Sequence, residues 1–329
     1  MAAETRPPLS EGQKALAEAQ ESGKRVEVTG ERSERTTVFA NPDGFTFTLE
    51  ESAVPVRVPT AGGGWQAPDA TLEVRGDGTV APKAAAVERE FSGGGTTEPL
   101  VKISDKGRSL QMGWPGKLPE PELDGAGAVY AEVLPGVDLR ITASVEGFRH
   151  VLVVKSPEAA AQEELKEIDY SLKATGLSLI KGKAGNLTAI DDDGNRVFRA
   201  PPAQMWDSAG TASGAQPMSL AAASTDAAED EGSDPAEVGA SAAEGAEPGA
   251  GDTVTTMDVK VSDDALSVVP DAEMLTRAEA SAFPLYIDPT VTWGESERTL
   301  LRSDGYESYG WTNGEGPGIL PAPGCHLST

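Results

Sequence analysis

Two neighbouring stretches, Val137-Asp-Leu139-Arg-Ile141 and Phe148-Arg-His150-Val-Leu-Val-Val154, decide how the rest of the chain is read. In the first, apolar and polar residues alternate with a period of two, the pattern of a strand with one face on a core and the other toward water. The second is apolar on both faces, which predicts a central strand covered on both sides and makes it the leading core candidate.

The same alternation recurs outward from this pair. Val26, Val28 and Val38 precede the turn Asn41-Pro-Asp-Gly44, and Phe45, Phe47 and Leu49 follow it. A hairpin is predicted there, because Pro presets φ at the second turn position and Gly accepts the left-handed conformation. Val54-Pro-Val56-Arg-Val58 repeats the pattern, as do Thr71–Val74 turning at Arg75-Gly-Asp-Gly78 and Leu100–Ile103 turning at Ser104-Asp-Lys-Gly107 before Ser109–Met112. On the other side come Ile168, Tyr170 and Leu172, then Leu177 and Leu179, Leu187 and Ile190, the turn Asp191–Asn195, and Val197-Phe198. Val254, Met257, Val259 and Val261 lead through Ser262-Asp-Asp-Ala265 into Leu266, Val268 and Val269, and Phe283–Ile287 gives one more strand. Short strands at near-regular spacing with Gly-Asp turns predict an all-β fold of antiparallel β-sandwich modules. Helix is expected in two places. Ser10 as N-cap with Gln13 three positions on has capping-box spacing, and Ala15, Leu16 and Ala19 form a narrow apolar stripe that Gly23 stops. Pro157 to Lys166, rich in Ala and Glu, reads as a helical turn or more.

Charge and cysteine count exclude several classes. Against 53 Asp and Glu the 329 residues carry only 27 Lys and Arg, a net charge of −26 with no local basic patch, so a nucleic-acid partner is not expected. The lone Cys325 forms neither an intramolecular disulfide nor a multi-thiolate zinc cluster, which leaves apolar burial to hold the fold. No run approaches the roughly 18 apolar residues that span a bilayer. The opening Met1-Ala-Ala-Glu-Thr-Arg-Pro-Pro has no basic and apolar leader, yet a small-residue, Pro-rich start commonly follows a cleavage site. Met1 is therefore either the true start or a point inside a longer precursor.

Composition marks the organisation. Residues 207–252 hold ten Asp or Glu, no Lys or Arg, and mostly Ala, Gly, Ser, Thr and Pro. Such a stretch lacks the apolar surface to offset a backbone ordering cost of about 1–2 kcal/mol per residue, so a long disordered acidic linker or loop is expected. The expected divisions are a tail and short helix over 1–23, a β-sandwich region over 24–145, a continuing β region over 146–206, the linker, a hairpin and strand completing the β region over 253–292, and the start of a following domain over 293–329. The last of these looks cut short, Gly- and Pro-rich from Thr312.

Candidate chemistry is thin. A serine hydrolase has only His150 or His326 as base, and His150 in an apolar strand reads as a core or edge histidine with a satisfied hydrogen bond. No nucleophile elbow, H-E-x-x-H helix or phosphate-binding loop occurs. Paired carboxylates for glycoside hydrolysis are too abundant to be informative. Asp191-Asp-Asp193-Gly-Asn195 invites calcium, but Gly194 stands fourth rather than sixth and Pro202 takes the place of the closing Glu, so a turn is expected. Arg75-Gly76-Asp77 matches an adhesion tripeptide, yet its residues are those the hairpin turn itself wants. Trp114 and Trp206 either plug the core at strand ends or form a sugar-stacking face. Cys325 reads as an incidental thiol. No catalytic, cofactor-binding or metal-ligating residue is assigned, and no cofactor is expected.

Several phrases carry a resemblance. They are Ala15–Val28, Phe39–Gly44, Phe91-Ser-Gly-Gly-Gly95, Trp114–Leu118, Tyr130-Ala-Glu-Val-Leu-Pro-Gly-Val-Asp-Leu139, Gly147-Phe148, Ala200–Asp207 and Phe283–Pro289. In this order, over roughly residues 10–311, the chain resembles the N-terminal β-rich region of large secreted actinobacterial proteins that carry LamG-like jellyroll, DNRLRE-type or Rhs/YD-repeat modules downstream. The resemblance supplies no catalytic or binding residues. It implies a secreted or cell-surface location and a non-enzymatic module that presents downstream domains, its partners in the full-length protein, with the chain departing from the pattern after Trp311 as a truncated remnant would. In the Tyr130–Leu139 phrase, Gly136 is expected to permit a tight turn and Asp138 to hydrogen-bond its backbone. The alternatives are an extracellular carbohydrate or cell-wall polysaccharide binding module and a carboxylate-based glycosidase.

Overall fold

The computed structural model describes residues 9–95, 99–183, 185–212, 247–249, 251–277, 279–289, 299–301 and 307–309. The chain divides into two compact units, residues 1–69 with 84–86 and residues 70–83 with 87–329. The expected division at 145 falls inside the turn at Ser144–Gly147, which joins two adjacent strands of one sheet.

The first unit opens with α1 (Glu11–Ser22). Ser10 Oγ accepts from Gln13 N and Gln13 Oε1 accepts from Ser10 N, the reciprocal capping box read from the sequence, and Gly23 closes the helix at φ +68°. β1 (Val26–Glu27), β2 (Thr36–Ala40) and β3 (Phe47–Glu51) form a sheet in that order. Ala15 and Ala19 of the helix bury with Val28 and Ala40, and Leu16, Val26 and Val38 pack around them. The predicted hairpin turn is present: Asp43 Oδ1 accepts from the amides of Phe45 and Thr46. Val54–Val56 depart from the expectation of a strand. Both valines are exposed, Pro55 has no N–H to give a ladder, and only β4 (Val58–Pro59) pairs, with β5 (Trp65–Gln66).

The second unit begins with β6 (Asp69–Val74), β7 (Val80–Ala84), β8 (Glu88–Phe91), β9 (Val101–Asp105), β10 (Arg108–Gly113) and β11 (Glu122–Asp124). There follow β12 (Gly127–Leu134), β13 (Val137–Ala143), β14 (Phe148–Val154), the single-turn helix α2 (Pro157–Ala160), β15 (Ile168–Thr175), β16 (Ser178–Lys181), β17 (Leu187–Ile190) and β18 (Arg196–Ala200). The last described elements are β19 (Gln204–Trp206), α3 (Ala209–Ala212), β20 (Val254–Thr256), β21 (Asp258–Val261), β22 (Ala265–Val269), α4 (Ala272–Leu275), β23 (Leu285–Asp288), β24 (Thr299–Leu301) and β25 (Glu307–Tyr309).

These strands build an antiparallel sandwich, as expected from the hairpin pattern. One sheet has the order β21-β22-β15-β10-β9-β8-β7-β6 and the other β11-β12-β13-β14-β23-β19-β20, with β16-β17-β18 as a smaller third sheet. The inward residues of both large sheets form one core, including Phe91, Ile103, Met112, Tyr170 and Leu266 from the first and Tyr130, Leu139, Phe148, Leu152 and Ile287 from the second. The strand apolar on both faces sits where it was expected. β14 lies between β13 and β23, with Leu152 and Val154 in the core and Val151 and Val153 buried on the opposite face.

The chain changes sheet several times, which adjacent hairpins do not disclose. After β20 in the seven-stranded sheet it enters the eight-stranded one at β21 and β22, and then returns to place β23 between β14 and β19. The acidic stretch 207–252 falls mostly outside the described residues, as do the segment from Trp293, His326 and Cys325.

The glycine run Phe91-Ser-Gly-Gly-Gly95 has a packing reason. A Cβ on Gly93 would lie 1.9 Å from the carbonyl oxygen of Gly78, and one on Gly94 would lie 2.4 Å from that of Pro119. Backbone here meets backbone, and neither carbonyl gives way as a flexible side chain would. Gly95, at φ +82°, has open space around its would-be Cβ. In chemical denaturation Gly93→Ala is expected to cost about 2–4 kcal/mol, whereas Gly95→Ala costs about 1–2 kcal/mol, the left-handed backbone term alone. Equal losses at the two positions would contradict the backbone contact.

Candidate functional site

Two places in the second unit combine polar groups with aromatic rings. The first is the interior between the sheets. His150 on β14 is fully buried, its ring stacked 6.4 Å from Phe148 and meeting Tyr170 of β15 edge-on at 5.5 Å. Tyr170 in turn meets Trp114 at 5.8 Å, and Phe148 meets Phe91 at 5.5 Å. Among the described residues neither ring nitrogen of His150 has a hydrogen-bond partner, and Tyr170 Oη and Trp114 Nε1 have none either. The histidine is thus a core residue, but without the satisfied hydrogen bond expected from the sequence. Burial pushes its pKa down to about 3 and pushes the Tyr170 phenol up. A base that is neutral far below pH 7 and sealed from solvent is poorly matched to proton transfer near neutrality.

Arg89, on β8, is a further buried polar group of this interior. Its Nη2 donates to the carbonyl of Ser144 at 2.7 Å and to that of Val145 at 3.3 Å, while Nε and Nη1 have no hydrogen-bond partner among the described residues. Desolvation brings its pKa down to about 10, opposed by the charge of Glu146 in the same turn. The guanidinium pins the β13–β14 turn to the opposite sheet. An arginine in a four-residue strand carries no sequence mark of this role, and it was not anticipated.

The second place is the outer face of the seven-stranded sheet. Arg149 Nε lies 2.6 Å from Asp288 Oδ2, and its guanidinium carbon stands 5.4 Å from the Trp206 ring. Trp206 stacks on Tyr286 with centroids 5.4 Å apart and planes at 15°. Trp206 and Trp114 are both buried, so neither offers a ring face to a sugar. Trp114 belongs to the core between the sheets, the more mundane of its two sequence readings, whereas Trp206 is covered on the outer face by Tyr286 and Arg149.

The remaining candidate motifs are turns. Asp191 Oδ1 accepts from the amides of Asp193 and Asn195, and Oδ2 accepts from Asn195 Nδ2 and from Arg108 Nη1 at 2.8 Å. Burial opposes ionisation of this carboxyl, yet those hydrogen bonds hold its pKa below the ordinary range. The expected turn is formed and its oxygens are occupied by protein donors. Asp77 of the Arg75-Gly-Asp sequence accepts from Thr79 N and Thr79 Oγ1, with Gly78 at φ +88° closing the turn. In the Tyr130–Leu139 phrase, Asp138 Oδ1 accepts from Glu132 N at 2.9 Å across a bulge where Glu132 has φ +54°, and Gly136 turns at φ +71°. Lys155 Nζ bridges Glu132 Oε1 and Asp138 Oδ1, each at 2.7 Å.

Among the described residues no group of three or more His, Cys, Asp or Glu is placed to hold a metal, and no helix is long and apolar enough to cross a membrane. Besides Asp191, the carboxyls of Glu27, Asp43, Asp77, Glu132, Glu158 and Asp258 are also held low, chiefly by hydrogen bonds from Arg32, Thr46, Thr79, Lys155, Ser156 and Lys181 respectively. A general acid for glycoside cleavage needs the opposite displacement. In comparison with known proteins, no family model, curated protein or solved structure matches this chain.

The buried histidine makes a pH prediction. Unfolded His150 takes up a proton near pH 6.5, whereas folded His150 resists until about pH 3. Between those values the unfolded state binds more protons, so stability is complete above pH 6.5 and falls with acidification, by up to about 1.4 kcal/mol per pH unit. Carboxylates held low contribute their own loss only near and below their unfolded pKa values of about 4. Urea titrations between pH 7 and 5 are therefore expected to show a loss that His150→Leu abolishes; an unchanged slope in that variant would contradict the assignment.

Proposed function

We propose that the chain is a non-enzymatic structural module of a secreted or cell-surface multidomain protein, one that holds and presents the domains joined to it. The observation that carries this reading is the commitment of its buried charges to the fold. Asp138 is paired with Lys155, Asp207 with Arg277 and Asp288 with Arg149, while Arg89 grips a turn and carries the counter-charge of Glu146. Catalytic sites usually keep ionisable groups poised and approachable. Here they tie neighbouring elements of the fold to one another, across one hairpin for Asp138 and Lys155 and between β14 and β23 for Arg149 and Asp288.

The extracellular setting rests on the resemblance of the ordered phrases to secreted actinobacterial proteins, and the acidic surface is compatible with it. A polysaccharide-binding role drew on Trp114 and Trp206, and burial of both indoles removes the stacking face it needs.

Two measurements test the proposal. The full-length protein incubated with peptidoglycan, chitin, starch and casein is expected to release no reducing sugar or peptide above the blank, and turnover of any of them would overturn the non-enzymatic part. Immunoblots of fractionated source cells are expected to find the chain in the medium or wall fraction. Recovery in the cytosolic fraction alone would overturn the location.

A further inference from the structure

The first unit keeps its small apolar residues inside and its large ones outside. Its buried cluster is Ala15, Ala19, Val28 and Ala40, with Leu16, Val26 and Val38 packed around it. Along the hairpin arm that ends in β3, Phe45 is 81% exposed, Phe47 46% and Leu49 61%. Phe47 and Leu49 stand opposite Ala40 and Val38, so they lie on the face that α1 covers further along the sheet. The helix approaches β3 at Gly12, where an added Cβ would stand 3.3 Å from the Phe47 ring. An apolar strip beside a core this small is a surface that gains from being covered.

β3 is also the last strand of its sheet: β2 pairs with one side, and among the described residues no strand pairs with the other. The ladder decides which residues present their backbone to that free edge. Asn41 N donates to Thr46 O at 2.9 Å on the β3 side of β2, and Val28 N donates to Val38 O at 2.8 Å on the β1 side. Hydrogen-bonded and non-bonded pairs alternate in an antiparallel ladder. Thr46 and Thr48 therefore turn their main-chain groups to β2, while Phe47, Leu49 and Glu51 turn theirs outward. Outward residues pair only with outward residues. A second β3 laid antiparallel on the first must then match odd-numbered positions with odd-numbered ones, which joins the two three-stranded sheets into one with both copies of α1 on the same face.

The arm is its own complement. Gly44-Phe45-Thr46-Phe47-Thr48-Leu49 holds no charge in a chain of which 24% is charged. With a two-fold axis at Phe47, Phe47 faces Phe47, Phe45 faces Leu49 and Thr46 faces Thr48. Phe45 keeps its N–H for Asp43 and offers its carbonyl. Glu50, on the far face, is already paired with Arg25 at 2.8 Å. Carboxylates meet only at the ends of the match, Glu51 against Asp43. The opposite edge of the sheet is a poorer partner: β1 is two residues long, and its Glu27 is held by Arg32. Pairing β3 with β3 also closes on itself, whereas β3 on β1 would propagate from copy to copy.

We propose that β3 is an interface between two copies of this chain, which join edge to edge about a two-fold axis at Phe47 and cover Phe45, Phe47 and Leu49. The inference stands on the edge and its side chains and does not rest on the presentation role.

Sedimentation equilibrium of the full chain is expected to show monomer and dimer, with dimer favoured by concentration and by added NaCl, since two copies of net charge −26 repel each other. A monomer at every concentration up to about 1 mM would overturn the proposal. Hydrogen exchange on the unaltered chain locates the contact. The amides of Phe47, Leu49 and Glu51 are expected to exchange freely in dilute solution and to gain protection as dimer forms; association without that gain would place the interface elsewhere and overturn the proposal equally. Phe47→Lys is expected to weaken dimerisation by about tenfold or more, while Val74→Lys, at an exposed valine of β6, leaves it unchanged. Equal weakening by both variants, or by neither, would contradict the assignment. Should Phe47→Lys fail to fold, amide protection in the parent chain decides the proposal alone.

Discussion

A row of rings crosses the interior of the larger unit, from Phe91 through Phe148, His150 and Tyr170 to Trp114, and passes from one sheet to the other and back. With no disulfide available to a chain whose one cysteine is Cys325, the two sheets are held by what they bury between them. The row also sets a condition. Its heteroatoms, His150 Nδ1 and Nε2, Tyr170 Oη and Trp114 Nε1, make no hydrogen bonds among the described residues, so the rings contribute as apolar surface while their polar atoms carry a desolvation cost. Such an interior favours a neutral histidine, and this ties the stability of the sandwich to pH.

The parts of this architecture set by local chemistry were legible in the sequence. The capping box of Ser10 and Gln13, the turn at Asn41–Gly44 and the Asp191–Asn195 loop depend on residues within a few positions of each other, and residue types at fixed offsets encode them. The doubly buried β14 was legible for a similar reason, since a strand apolar on both faces needs cover on both. The valines at 54 and 56 show where alternation misleads. A proline between them removes one ladder donor, and period-two spacing alone does not supply a partner strand.

What was not legible depends on residues far apart. Gly93 is required because Gly78 O lies against it, and Arg89 is buried because a turn 55 residues later brings carbonyls to it. Neither neighbour is visible in a local window. The site candidates failed to become sites for the same reason. Trp206, beside Pro201-Pro202, was open to two readings, a core plug or a sugar-stacking face, and the outcome was set by Tyr286, which stacks on it, and Arg149, which covers it, on strands separated by well over a hundred residues. The sequence marks aromatic and charged residues; the topology decides which of them face water.

The position of β23 shows how these long-range terms act together. This four-residue strand must enter the middle of a sheet, between β14 and β19, after the chain has left for the other sheet and come back. A slip of one residue would turn Leu285 and Ile287 outward and carry Tyr286 and Asp288 into the core. In the observed register Asp288 meets Arg149 and Tyr286 stacks on Trp206, so the outer face selects the same alignment that the core selects. A partly buried ion pair is a modest source of net stability, but an unpaired Asp288 among apolar residues is heavily penalised. The charge pair therefore discriminates between registers more than it strengthens the correct one. This is the use the fold has for a buried carboxylate at this position: it excludes the wrong pairings of a chain whose strands are short, numerous and alike.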